Sequence, residues 1–291
     1  MARGTAKKKK SRHARYVVAV SGGVDSVVLL DMLYKHHSKN LVVVHVDHGI
    51  RPESSEDAEF VRGLAKKYRL PFKLIRLKLG EKASEEKARD ARYAFLDKMS
   101  RRYVGPIITA HHADDVIETI AINLKRGTGW RGLAVMERGN IYRPLTSHFK
   151  SELIHYAHQH KLEWREDTTN QSDRYLRNRI RRQTSQLPMD TKLELLALWQ
   201  TQREIKNQIT KETDHFVTNQ RYFYINTPPQ AATEVLQALL AKNNLSLMRP
   251  QYERLLLAIK TAKAGSTFNL SHSNSVQFDA KTFRFASEKV V

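Results

Sequence analysis

The stretch RYVVAVSGGVDSVVLLDML, Arg15 to Leu33, runs as β-formers up to Val20, breaks at Ser21-Gly22-Gly23, and resumes with helix-period apolar residues. A buried strand that feeds a glycine turn into a helix allows few folds. It also builds an anion pocket, because the unpaired N–H groups and the positive dipole end of the helix point at the turn. Gly22 and Gly23 let the backbone turn tightly and let oxygen atoms approach where a Cβ would clash. Ser21 and Ser26 add hydroxyl donors, and Asp25 beside a phosphate pocket would be repulsive without a divalent cation or a developing charge, which suggests Mg²⁺. A serine-capped structural turn would use the same residues. No Gly-Lys-Ser/Thr follows, and the Gly-x-Gly-x-x-Gly pattern is absent.

The alternation continues downstream. Arg15–Val20, Leu41–Val46, FKLIRLKL and Gly105–Ala110 read as strands. Helices are predicted to about His36, from Ser54 to about Arg69, over Ser84–Arg102 and over Asp114–Lys125. Buried strands alternating with helices predict an α/β fold, a doubly wound parallel sheet with helices on both faces. Ligands of such sheets sit beyond the carboxyl ends of the strands. Three polar clusters fall there: SGGVDS, HVDHGIR and TAHHADD. One shared site is the simplest reading.

The chain divides by character. Residues 1–14 are expected to be a disordered basic arm, 15–187 the catalytic domain, 188–226 a connecting helix and 227–291 a smaller, mainly helical C-terminal domain that assists RNA binding. STFNLSHSNSVQFDAKTFRFA reads as a terminal hairpin or small sheet. The 50 Lys and Arg against 30 Asp and Glu leave a formal charge of +20, which argues for a polyanionic partner, nucleic acid before an anionic membrane. No cysteine is present, so disulfides, thiolate zinc sites and persulfide relays are excluded. No apolar run suggests a membrane span, no secretory signal is visible, and the cytoplasm is the expected address. A homodimer is compatible with the sequence, which does not fix an oligomeric state.

SGGVDS matches the Ser-Gly-Gly-x-Asp-Ser loop of the N-type ATP pyrophosphatases, the PP-loop superfamily. HVDHGIR, ARDARYAFL, TAHHADDVIET, LKRGTGWRGL, YRPLTSHFKSELIHYA and WREDTTNQSDRYLRNRIR follow in order, and together they resemble the tRNA(Ile)-lysidine synthetases. The resemblance runs from about residue 15 to 182 and weakens after 190. Longer members carry a further C-terminal domain that this chain is expected to lack or to hold in reduced form.

That resemblance implies a ligase forming a carbon–nitrogen bond. ATP adenylates the C2 oxygen of the wobble cytidine in the CAU-anticodon isoleucine tRNA, with release of pyrophosphate. An amine of L-lysine then attacks C2 and expels AMP, so that the codon read changes from AUG to AUA. It also implies that Ser21, Gly22, Gly23, Val24, Asp25 and Ser26 bind ATP, with the adenine seated near His45 and Asp47. A histidine at a strand end is as readily a structural residue, so His45 is not named a base.

Asp114, Asp115 and Glu118 fall at i, i+1 and i+4 of a helix start. Asp25, Asp114 and Asp115 are the catalytic candidates, with Asp25 and Asp115 to hold Mg²⁺ and an acid of the pair alternatively to recognise the lysine ammonium. His111 and His112 lack the company a zinc site needs. Arg126, Gly127, Thr128, Gly129 and Trp130 combine basic groups, glycines, a hydroxyl and an aromatic able to stack on an unpaired base. Arg174, Arg177 and Arg181, with Asn178, make a basic helical stripe for tRNA or ATP phosphates. Arg51 is a further basic candidate. The rival readings are a tRNA thiolase, disfavoured by the absence of cysteine, a small-molecule amide synthetase, and a basic RNA-binding module that keeps ATP without catalysis.

Overall fold

The computed structural model describes residues 15–37, 40–47, 54–77, 85–166, 176–245, 247–271 and 273–287. The predicted basic arm, His48, Arg51 and Arg174 lie outside them. Two compact units divide the chain, residues 1–199 and 200–291.

In the first unit, β1 (Tyr16–Ala19), β2 (Leu41–Asp47), β3 (Phe72–Arg76), β4 (Ile107–Ile108) and β5 (Ile141–Tyr142) form one parallel sheet. Their spatial order is β3-β2-β1-β4-β5, so the winding reverses between β1 and β4. A crevice opens at such a reversal, beyond the strand ends. The intervening helices are α1 (Val24–His37), α2 (Ser54–Lys67), α3 (Glu85–Tyr103) and α4 (Ala113–Lys125), followed by α5 (Lys150–Gln159) and α6 (Leu176–Ser185).

Period-two alternation explains why the sheet is covered twice. Val18, Leu41, Val43 and Ile108 pack with residues of α1, α2 and α5. Val17, Val42, Val44 and Ile107 face the other way, onto Tyr93, Leu96 and Met99 of α3. Each fully buried valine or leucine contributes roughly 1.5–3 kcal/mol. At the foot of the sheet, a Cβ on Gly105 would meet the Arg15 carbonyl oxygen at 2.0 Å, so only glycine lets the chain enter β4 there.

A long helix, α7 (Met189–Thr213), begins in the first unit, and the boundary between the units falls within it. Its Leu196 and Trp199 are buried with Val116, Ile117 and Ile120 of α4, and the Trp199 indole donates to the Val135 carbonyl at 3.0 Å. The second unit contains α8 (Arg221–Asn226), α9 (Pro229–Lys242), α10 (Arg249–Thr261) and an antiparallel sheet of β6 (Thr267–Asn269), β7 (Asn274–Phe278) and β8 (Phe283–Ser287). Its core gathers Tyr224, Leu236, Leu255, Ile259, Val276, Phe278 and Phe283. Buried Arg221 ties that core together by donating to the carbonyls of Ile259, Asp279 and Ala262. No described helix is long and apolar enough to cross a membrane.

Candidate functional site

The loop after β1 and the residues after β4 flank the reversal in winding, and the structure brings them to one place. Gly22 has a φ of +102°, a conformation that side-chain-bearing residues avoid. The N–H groups of Ser21 and Gly22 turn onto Ser26 Oγ at 3.2 and 3.1 Å, and that hydroxyl donates to the Gly23 carbonyl at 2.9 Å. Ser26 therefore shapes the turn from inside, using two of the amides expected to meet an anion. The Val24 and Asp25 N–H groups, in the first turn of α1, have no intrahelical acceptor and remain for a ligand. The Arg165 N–H holds the Gly22 carbonyl at 3.0 Å and pins the far side of the loop.

Asp25 does not stand alone. Lys150, the first residue of α5, places its Nζ 2.7 Å from both carboxylate oxygens of Asp25. The Lys150 backbone N–H donates to Asp114 Oδ2 at 2.9 Å, so an acid at the start of α4 caps α5. His112 sits among three acids: its Nε2 lies 3.9 Å from Asp25 and 3.6 Å from Asp115, and its Nδ1 lies 3.3 Å from Asp114. The His112 backbone N–H also donates to Asp115 Oδ2 at 3.1 Å.

These charges set protonation. Burial alone would lower the His112 pKa, but Asp114, Asp115 and Asp25 outweigh it and hold it above its ordinary value. Its neighbour His111 moves the other way, to about 4, because burial and the positive charge of Arg143, Arg92 and Arg177 exceed the pull of Asp115. Burial would raise Asp114 and Asp115, yet His112 and the other nearby donors and charges keep both below the usual carboxylate range.

The basic stripe of α6 meets the same acids. Arg177 donates to Asp115 and Glu118 at 3.2 Å each, and Arg181 Nε to Glu118 at 2.6 Å. Glu118 is only 1% exposed. The stripe thus faces α4, and its two described arginines neutralise carboxylates instead of standing free. Asn178 lies between them on α6 and also makes contacts.

Other candidates are placed as follows. His45 is buried, with Nδ1 2.7 Å from the Val20 carbonyl, a partner that suits a structural histidine. Asp47, buried at the end of β2, pairs with Arg76 at 3.4 Å. Past α4, Arg126 caps the helix and Gly127 takes a φ of +68°. Gly129 precedes a short 3₁₀ turn containing Trp130, which is 36% exposed under the Arg131 guanidinium. Thr128 packs so tightly on Gly132 that a Cβ there would lie 1.9 Å from its hydroxyl.

Sequence reasoning did not single out Lys150, although it lies in a quoted block. It set His112 aside with the zinc reading, although the three acids beside it were visible. Among the described residues no group of three or more His, Asp or Glu is arranged to hold a metal ion. Mg²⁺ needs less, since one or two carboxylates with phosphate oxygens suffice.

A doubly wound parallel sheet with a glycine turn after its first strand, and an acidic cluster across the winding reversal, defines a nucleotide-binding α/β protein. A PP-loop domain family matches residues 2–187, and the chain belongs to that family. The tRNA(Ile)-lysidine synthase of Exiguobacterium sibiricum is 40% identical over 174 residues, covering 57% of this chain and 41% of that protein. The enzyme of the same name from Thermus thermophilus is 43% identical over 174 residues, 57% of this chain and 34% of its own length. The chain therefore spans less than half the length of these relatives. Among solved structures, a U34-tRNA thiolase from Methanococcus maripaludis aligns with a TM-score of 0.45 and 16% identity over 85% of this chain and 74% of that one.

Proposed function

We propose that this chain ligates L-lysine to C2 of the wobble cytidine of a CAU-anticodon isoleucine tRNA, with ATP consumed to AMP and pyrophosphate. The observation that carries the reading is the meeting of Asp25, Lys150, His112, Asp114 and Asp115 beside the loop after β1. The relatives named above supply the substrates. The cytoplasm, where ATP and tRNA meet, is the proposed site of action.

In the first step the cytidine C2 oxygen bonds to the α-phosphorus and the bond to the leaving pyrophosphate breaks. Negative charge grows on the phosphates, and preorganised donors stabilise it best. The Val24 and Asp25 amides and the Lys150 ammonium are those donors. In the second step the lysine amine attacks C2, loses a proton and expels AMP. One of Asp114 and Asp115, both held ionised, attracts the incoming ammonium and takes the proton that frees its amine, and the other takes the proton lost after attack. Arg177 and Arg181 fix Asp115 and Glu118 in place.

Asp25 and Asp115 are the carboxylates that would hold Mg²⁺, each lying within 3.9 Å of His112 Nε2. Mg²⁺ held by them would neutralise phosphate charge.

The test is incubation with ATP, Mg²⁺, labelled lysine and tRNA. Label entering the CAU isoleucine tRNA, and not the CAU methionine tRNA, is expected. ATP cleavage with no label in RNA would reject the reading.

A further inference from the structure

Beside the acidic site lies a second cluster, of the opposite sign and without a use so far. Tyr93 of α3, 2% exposed, is surrounded by guanidinium groups. The Arg89, Arg92 and Arg138 carbons lie 5.2, 5.3 and 4.4 Å from its ring centre. Arg143, two residues beyond the start of β5, donates to the Met136 carbonyl and leaves its own buried Nε without a hydrogen-bond partner. Of these four, Arg138 pairs with Asp97 at 3.2 Å, while Arg89, Arg92 and Arg143 have no carboxylate partner among the described residues.

Like charges gathered in a half-buried place repel, and burial without a counter-ion is unfavourable. The field is strong enough to reverse a usual trend. Burial should raise the Tyr93 phenol, yet Arg92, Arg89 and Arg143 bring it below its ordinary value. Arg92 and Arg143 are themselves pushed down, first by burial and then by neighbouring arginines.

Topology fixes where this cluster faces. Along the carboxyl edge of the sheet, the loop after β1, the His111–Asp115 segment after β4 and Arg143 after β5 follow one another. The strands are parallel and α3 returns against them, so Arg89 and Arg92 in its first half stand at that same edge.

We propose that Arg89, Arg92, Arg138 and Arg143 form a subsite for backbone phosphates of the RNA strand that carries the reacting cytidine. This rests on the ligation reading for the identity of the RNA. The phosphates of ATP belong at the loop after β1, on the other side of the β4 residues. A free amino acid's carboxylate is matched by one guanidinium fork, whereas four cationic heads match consecutive phosphodiesters. Occupation would supply the counter-charge the cluster lacks and hold the strand beside His111 and Asp115.

The experiment measures binding of a CAU anticodon stem-loop by fluorescence anisotropy across salt concentrations, for the wild type, Arg92→Gln, Arg92→Lys and Arg89→Gln. The lysine KM is measured alongside. Arg92→Gln is expected to weaken RNA binding about five- to tenfold and to make the salt dependence shallower by about one phosphate contact, with the lysine KM unchanged. Arg92→Lys should restore the slope. Arg89, at an exposed position, carries the same expectation should Arg92→Gln fail to fold. Unchanged RNA affinity and slope overturn the proposal. A raised lysine KM with intact RNA binding also overturns it and assigns the anion to the amino acid. Wild-type protein showing an Arg92-dependent slope but no lysine ligation would sink the ligation reading and leave the subsite standing.

Discussion

Glu118→Gln tests the electrostatic frame of the site most directly. The Glu118 carboxylate is buried and receives Arg181 Nε at 2.6 Å, Arg181 Nη2 at 3.3 Å and Arg177 Nε at 3.2 Å. Removing one partner of a buried ion pair typically costs 3–5 kcal/mol, because the other charge stays behind uncompensated. Here the arginine side chains are 28% and 39% accessible, so water absorbs part of that loss. The amide of glutamine also keeps one acceptor. A net loss of about 2–4 kcal/mol follows. With roughly 2.1 cal/mol/K of unfolding entropy per residue, the 199-residue first unit should melt about 5–10 °C lower. Thermal unfolding by near-ultraviolet circular dichroism reads this. The control is Glu118→Met combined with Arg181→Met, which leaves Arg177 paired with Asp115 and should recover part of the lost stability. A melting temperature for Glu118→Gln within about 1 °C of wild type would show that the three groups are not a buried ion pair. The α6 stripe would then be free to meet substrate, as its sequence first suggests.

Lys150→Met should lower ATP-dependent pyrophosphate release about 100-fold, the loss typical of one charge-stabilising donor, with the melting temperature held within about 2 °C; an unchanged rate removes Lys150 from the chemistry. Asp31→Asn should destabilise the first unit by about 1–3 kcal/mol, since Asp31 accepts from Tyr68, Tyr156 and Lys35. Those partners outweigh burial and depress the Asp31 pKa, so its contribution is present above the unfolded value near 3.9 and is lost as pH falls through the lower folded value; in urea titrations the gap between the two proteins should be smaller at pH 3 than at pH 7, and a constant gap would refute this. His111, lowered to about 4 mainly by burial, stays neutral in the fold while an unfolded imidazole gains a proton near 6.5. Its contribution is therefore complete above pH 6.5 and is lost between 6.5 and 4, so His111→Asn should flatten the fall in urea midpoint between pH 7 and 5; parallel profiles would sink the idea.

What could be read from the sequence follows the strength of local signals. β1, β2 and the first four helices stand out because their apolar runs and periods are continuous over many residues. β4 was expected over Gly105–Ala110 and spans only Ile107–Ile108, since Gly105 is spent on the close approach to Arg15 and Pro106 lacks an N–H. β5 has two residues between Gly139-Asn140 and Pro144, too short to show a period, and α8 has six. The α6 stripe was visible as a stripe, but its partner could not be, because Glu118 lies 59 residues from Arg177. Lys150 escaped for a similar reason: a lysine opening a helix looks solvated until the helix it faces is known.

That facing helix is α1, and the way the two are locked explains how a distant lysine reaches the loop. Lys150 meets Asp25, Tyr156 meets Asp31, and His160, next after α5, meets Lys35, each pair separated by 125 residues. A constant offset means that α1 and α5 run parallel and in step. At 1.5 Å per residue the first two rungs stand about 9 Å apart on both helices. The Asp31 rung is the buried one, clamped also by the Tyr68 hydroxyl at 2.8 Å, while the Lys150 ammonium is part-exposed and bonded at its tip. An exposed ion pair by itself fixes position weakly. The depth at which Lys150 enters the site is therefore set from below, by Asp31 and the two tyrosines, and from the side by Asp114 on the first N–H of α5. The part-exposed lysine tip could then leave Asp25 for the phosphate of the proposed reaction without disturbing the buried rung.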